Sequence, residues 1–243
     1  MEHIQVERHD DVAVIWWNHE EQNRIATDFV KENNACLDEL EKDDSVRGIV
    51  ITGRQEKFFS TGIYLEWLAA TAAGDPEAVH EFFRILLELN LNLTRFPKPI
   101  VAAINGHAVA MGCILAAFMD YRLMREDRGF VRLSEVQVDI QLWPGMIAIF
   151  QDILPGKSFR DMLYTGDRYT AVQAHEMGYV DEMCSKAELV PKAVELARKL
   201  GASKKETFAG LKRANRKRVI DIMKNEDPKA IVARADELIG RSA

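Results

Sequence analysis

Apolar and polar positions along the chain fall into short blocks whose period changes from place to place. Residues 12–17 form a continuous apolar run of strand length, and residues 47–52, apolar at Ile49-Val50-Ile51, read as a short buried strand closed by Gly53. Between them Phe29, Val30, Leu37 and Leu40 recur at helical spacing, which predicts a helix over 25–40. Asp75 followed by Pro76 supplies an N-cap and a first-turn proline, so a second helix is predicted from there to about Arg95, where Pro97 and Pro99 interrupt it. Residues 100–104 read as another buried strand. Asn105-Gly106 then turns the chain into 109–119, which is apolar almost all round and reads as a buried helix. Such strand–helix alternation predicts βαβ units and a largely parallel sheet. Beyond Pro144-Gly145 the pattern is mostly helical. A short helix is predicted over 170–177 with Thr170 as cap and Gly178 as terminator, then a last strand at 179–183. Helices over 189–200, 204–223 and 228–239 complete the chain. On this reading it divides into a core domain, 1–185, and a helical C-terminal region, 186–243, which is expected to take part in oligomerisation.

Composition narrows the class. Of 243 residues 47% are hydrophobic, enough to bury a substantial core, and 29% are charged. No apolar run reaches the ~20 residues of a membrane span. The first residues lack the basic and apolar regions of a signal peptide. A net charge of −6 and a pI near 5.6 argue against nucleic acid as the main partner. Cys36, Cys113 and Cys184 show neither metal-ligand spacing nor a disulfide framework, and a reducing cytoplasm fits them. Cys113, inside an apolar run, reads as a small core residue.

Two segments carry chemistry. One is 57–65, the other 104–114. Each follows a strand, contains glycine, and runs into a helix. The second helix must be buried, so its first N–H groups and the positive end of its dipole point at whatever lies there. A ligand, or a water at a tightly packed turn, would satisfy them; one segment alone leaves both readings open.

Together the segments resemble the crotonase (enoyl-CoA hydratase/isomerase) family. Phe59-Ser60-Thr61-Gly62-Ile63-Tyr64-Leu65 fits its first motif, with Tyr64 in place of the usual acidic residue. Ala103 to Leu115 fits its second, with Ala110-Met111-Gly112 replacing the usual glycine triplet. Lys98-Pro99, Asp120, Gly156-Lys157-Ser158, residues 163–174 and Gly178-Tyr179-Val180-Asp181 also match in order, so the resemblance runs from about Val12 to Ala197.

The resemblance implies a crotonase-like α/β fold, a spiral of ββα units followed by a helical C-terminal region. It implies a homotrimer or a dimer of trimers. It also implies an acyl-CoA substrate and no separate cofactor, because CoA enters as part of the thioester. Carried over, the backbone N–H groups of Ile63 and Met111 form an oxyanion hole for the thioester carbonyl. Ser60, Gly62 and Leu65 from the first motif and Gly112 and Ile114 from the second are expected beside the substrate. Arg24 and Ile25 match the loop that skirts the CoA adenine, although a solvated surface Arg24 remains an equal reading. Trp143 falls where the family lines the acyl pocket, with plain core as the other reading. The basic run from Lys204 to Arg218 either meets a CoA phosphate or is a solvated helix face.

The family hydratases use two glutamates. Ile114 occupies the first position and Glu135 the second, with one extra residue in the charged loop before it. Asp139, four residues on, is expected on the same face of a strand as a support or a solvent-facing group. His107 is expected to be packed. A single carboxylate suits a 1,3-proton shuttle, and an aliphatic residue at the first position resembles the Δ3,Δ2-enoyl-CoA isomerase branch. The expected function is therefore isomerisation of 3-enoyl-CoA to trans-2-enoyl-CoA. A hydratase or other crotonase-type enzyme, and a non-catalytic acyl-CoA-binding scaffold, are the alternatives. A thioester hydrolase has no G-x-S-x-G elbow to support it.

Overall fold

The computed structural model describes residues 1–240. A six-stranded sheet forms the frame. Its strands lie in the order β1 (Ile4–His9), β2 (Val12–Trp17), β3 (Gly48–Gly53), β5 (Ile100–Ile104), β7 (Tyr121–Arg125) and β9 (Glu182–Cys184). Only β1 and β2 run antiparallel; every other pair is parallel. A smaller, wholly parallel sheet holds β4 (Phe58–Ser60), β6 (His107–Val109) and β8 (Val131–Arg132). The chain passes three times from the large sheet to the small one and then into a helical segment. β3 leads to β4 and α2 (Leu65–Gly74), β5 to β6 and α4 (Met111–Phe118), and β7 to β8 and a 3-10 turn at Glu135–Gln137. This is the expected α/β spiral of ββα units. Its consequence is that three strand ends, and the segments that leave them, converge on one side of the small sheet.

The central strands are continuous apolar runs because both faces are covered, as parallel strands usually require. Val12, Val14, Val50, Val101 and Leu123 face α8 (Lys186–Leu200), meeting Leu189, Ala193, Val194 and Ala197. The approach is close at Gly48, where an added Cβ would stand 2.7 Å from the Ala197 carbonyl oxygen. The alternate residues, Ala13, Ile15, Ile49, Ile51, Ala102 and Ile104, enter the main core. There they meet α1 (Thr27–Lys42), α3 (Pro76–Arg95) and α4. Asp75 caps α3 by accepting the Ala78 N–H, and Pro76 sits in its first turn as expected. Behind the sheets lie α5 (Pro144–Ile153), α6 (Gly156–Thr165) and α7 (Ala171–Glu176), the last with Thr170 and Gln173 in a reciprocal capping box. Three further helices, α9 (Lys205–Asn215), α10 (Lys217–Asn225) and α11 (Asp227–Leu238), close the chain.

Several expectations are corrected. β1 escaped notice because only Ile4 of its six residues is buried; it is an edge strand with polar faces. The helix expected from 109 starts at Met111, since 107–109 pair with β4 and β8. The helix expected over 204–223 breaks at Arg216, which leaves helical geometry at φ −89°, ψ 6°. Met124 and Arg125 belong to β7 and are buried, so the solvated loop is shorter than the charge pattern implied. Glu135 stands on a 3-10 turn, not a strand, so no strand face is shared with Asp139.

Candidate active site

β4 and β6 are parallel neighbours, so the two segments singled out by their glycines leave the small sheet side by side. The first is clamped by its own backbone. Thr61 N–H donates to the Gln22 carbonyl at 3.1 Å, Tyr64 N–H to the Ile25 carbonyl at 3.0 Å, and the Gly62 carbonyl accepts Ile25 N–H at 2.8 Å. Gly62 N–H reaches the Ser60 hydroxyl at 3.2 Å, and that hydroxyl donates to the Asn23 carbonyl at 2.7 Å. Within 61–64 this leaves one N–H, that of Ile63, with no acceptor among the described residues.

The second unused donor is at the start of α4. Ala110 caps that helix without a side-chain hydrogen bond, and Met111 N–H has no acceptor among the described residues. All eight residues of α4 are buried, so its N-terminus cannot find bulk water at its sides. The two donors are neighbours: a Cβ on Gly62 would lie 2.9 Å from the Met111 nitrogen. Gly62 has φ +88°, which glycine alone takes without strain. Gly112 permits the matching approach from the helix side, for a Cβ there would stand 2.3 Å from the Ser60 carbonyl oxygen. Ala110 holds φ 51°, ψ −126°, a strained conformation for a residue with a side chain.

Both donors border a cavity of about 360 Å³ whose walls include Ile63, Met111, Ile114, Glu135 and Trp143. The walls are largely apolar. Ile114 lies in α4, in the turn that follows Met111, and Trp143 at the start of α5 meets Phe83 edge-on at 5.7 Å. Trp143 is thus both core and pocket wall. Leu65 reaches the same cavity from the exposed side.

Glu135 is the acidic residue of that lining among the described residues. It is 6% exposed, and its Oε2 has no hydrogen-bond partner. Burial pushes its carboxyl up from 4.5 to about 7; the backbone N–H groups of Glu135 and Ser134 and the charge of Arg132 pull less strongly the other way. A carboxyl balanced between its two protonation states near neutral pH is equipped to take and return a proton.

The other predicted residues are placed differently. Ser60, Gly62 and Gly112 are not in the cavity wall; they set the backbone that borders it. Ile25 buries its side chain completely and contributes through its two backbone hydrogen bonds to the Gly62–Tyr64 segment. Arg24 lies outside the cavity. Its guanidinium stacks 3.6 Å from the centre of the Tyr64 ring and pairs with Glu20. Asp139 is exposed, with φ +54°, and does not border the cavity. His107 packs on Phe130 and Phe58 at 4.2 and 5.4 Å, and burial lowers its pKa. Burial pushes the Cys113 thiol up to about 12, which removes it as a nucleophile. Sequence reasoning missed Leu68, Ala69 and Phe83 from α2 and α3, Gln141 before α5, and Arg234 and Leu238 from α11. These residues carry no local signal, because only the tertiary fold brings their helices to the site.

Comparison with known proteins identifies the family. The family described as enoyl-CoA hydratase/isomerase matches residues 7–232. Enoyl-CoA delta isomerase 2, peroxisomal, of Arabidopsis thaliana is 30% identical over 217 residues, covering 86% of this chain and 90% of the relative. Carnitinyl-CoA dehydratase of Salmonella arizonae is 37% identical over 175 residues, covering 72% of this chain and 65% of the relative. In fold, the chain is similar to human mitochondrial delta3-delta2-enoyl-CoA isomerase, with a TM-score of 0.90 at 23% identity over 98% of this chain and 95% of that one. With nearly the whole chain matched, this protein belongs to the enoyl-CoA hydratase/isomerase family and is one of its acyl-CoA enzymes.

Proposed function

We propose that the protein moves the double bond of a 3-enoyl-CoA to the 2-position by a proton shuttle on one carboxylate. The ionised Glu135 takes a proton from C2 of the substrate. The electron pair left behind delocalises onto the thioester oxygen, giving a dienolate. The Ile63 and Met111 N–H groups, fixed by the folded backbone, hold that oxygen; a lost donor in comparable sites costs ~3–4 kcal/mol of transition-state stabilisation. Glu135, now protonated, delivers its proton to C4. The product is trans-2-enoyl-CoA, and the carboxylate is restored.

The observation that carries this reading is Glu135 itself: a buried carboxyl with a free oxygen, raised to about 7, facing the cavity that Ile114 also lines. Hydration would ask for a second group to hold water. The uncharged polar residues of the lining are Thr61, Ser134 and Gln141, none of which can exchange a proton as a carboxyl does. The name of the Arabidopsis relative supports isomerisation; that of the Salmonella relative supports dehydration chemistry.

The test is turnover of 3-hexenoyl-CoA and, separately, of crotonyl-CoA, followed through the absorbance of the conjugated thioester. Isomerisation of the first with weak hydration of the second is expected. Strong hydration of crotonyl-CoA contradicts the single-carboxylate mechanism. Binding of both without turnover of either makes the protein an acyl-CoA scaffold.

A further inference from the structure

A second cavity, of about 480 Å³, lies at the start of β7 and shares no lining residue with the acyl cavity. Its charged walls are Asp120 and Arg122 at the start of β7, Asp181 before β9, Lys212 on α9, and Arg216 where α9 gives way to α10. Four of these five groups satisfy one another or the backbone. Arg122 donates to the Tyr179 carbonyl at 2.7 Å, the Met119 carbonyl at 3.0 Å and Asp181 at 3.1 Å. Lys212 donates to Asp120 Oδ2 at 2.8 Å, and that oxygen also accepts the Ile100 N–H at 2.8 Å. Asp152, a further carboxylate whose charge acts on Arg216, pairs with Arg218 at 2.6 Å.

Arg216 is the remainder. It is only 6% exposed, and its guanidinium makes no hydrogen bond or ion pair among the described residues. Burial, more than any neighbour, disfavours its charge. Asp120, Asp152 and Asp181 favour its charge from a distance, but a cation this deep with no hydrogen-bonded partner is costly unless a counter-ion meets it. The walls hold three cations against two carboxylates, which leaves one positive charge unbalanced. Arg216 carries five N–H donors, and the Lys212 ammonium has two beyond the one it gives to Asp120.

We propose that this cavity is a binding site for a small oxyanion, a phosphate or a carboxylate, held by the planar fork of Arg216 with the Lys212 ammonium beside it. Two parallel N–H···O bonds from the fork match either anion. The bound anion would tie α9 to the edge formed by β7 and β9, away from the reaction. Because the site shares no residue with the acyl cavity, acyl-CoA binding and anion binding should be separable by mutation.

The experiment is thermal unfolding of the full-length protein with inorganic phosphate and, in a second arm, acetate, each titrated at constant ionic strength against sodium chloride. A saturable rise in Tm of at least about 5 °C at a hundredfold excess over Kd is expected with one or both anions. Arg216→Met should lose that rise, while an acyl-CoA such as acetoacetyl-CoA, taken by the separate acyl cavity, should still raise its Tm. If Arg216→Met does not fold, Arg216→Lys keeps the charge without the fork and should weaken anion binding about tenfold, the loss of one charge-assisted hydrogen bond. Line broadening of the phosphate ³¹P resonance on the unmodified protein reads the phosphate arm independently. No saturable effect of either anion, or an equal effect in the Arg216 variants, overturns the proposal. So does a variant that changes only the oligomer mass, since a carboxylate of a second copy would then be the group that meets Arg216.

Discussion

Glu135 should make the protein less stable as pH rises, and Glu135→Gln should remove that effect. Its folded-state carboxyl titrates at about 7 against 4.5 for the free group, with burial as the leading cause. The folded state therefore holds a proton that the unfolded state gives up across that window. Stability is fully present below about 4.5 and is lost as pH rises toward 7. At 1.36 kcal/mol per pH unit the penalty comes to about 3 kcal/mol in all, most of it between pH 5 and pH 8. A glutamine of the same shape does not titrate. Its buried amide has a cost of its own, but that cost does not depend on pH, so the change between the two pH values isolates the carboxylate. Burial raises Asp227 to about 6 as well, yet it is present in both proteins and cancels. The assay is urea unfolding of both proteins at pH 5 and pH 8. The variant should gain about 2–3 kcal/mol relative to the unmodified protein on going to the higher pH, or roughly 4–12 °C in Tm. A difference between the two proteins that is the same at both pH values would refute the reasoning, because Glu135 would then titrate like a solvated carboxylate.

Other substitutions probe the backbone and the missing carboxylate. Ala110→Gly should relieve the φ 51°, ψ −126° strain at the start of α4 and, after the entropy of the added glycine, raise stability by about 1 kcal/mol in urea unfolding. Gly112→Ala puts a Cβ 2.3 Å from the Ser60 carbonyl oxygen, so α4 must move and take the Met111 N–H with it; kcat for 3-hexenoyl-CoA should fall at least ~10²-fold. Ile114→Glu places a second carboxyl in an apolar wall, and should cost about 2 kcal/mol or more in unfolding assays while adding at best a small rate of crotonyl-CoA hydration.

What was legible in the sequence follows from how local each signal is. Asp75-Pro76 and Thr170 act through contacts within one helical turn, so α3 and α7 could be placed from their own residues. The central strands announced themselves because both faces are buried. β1 did not, since its single buried residue, Ile4, makes no pattern. The start of α4 was hidden by uniform apolarity: 107–109 are strand and 111–118 helix, with no polar residue between them to mark the change. The glycines and the family motifs brought Ile63, Met111, Ile114, Glu135 and Trp143 to one cavity. They could not show that Ser60 acts by fixing neighbouring backbone with its hydroxyl and Ile25 through its own backbone, nor that α11 contributes Arg234 and Leu238, because those placements depend on packing between distant elements.

The measurement that bears most directly on the mechanism is turnover of 3-hexenoyl-CoA by Glu135→Gln, made alongside a binding constant for trans-2-hexenoyl-CoA. The substitution keeps the side-chain shape and leaves the Ile63 and Met111 N–H groups where they are, so affinity should change little. It removes the base, so kcat should fall at least ~10²-fold, the lower end of general acid–base contributions. Near-normal turnover in the variant would contradict the account, because the proton would then be moved by a group other than Glu135.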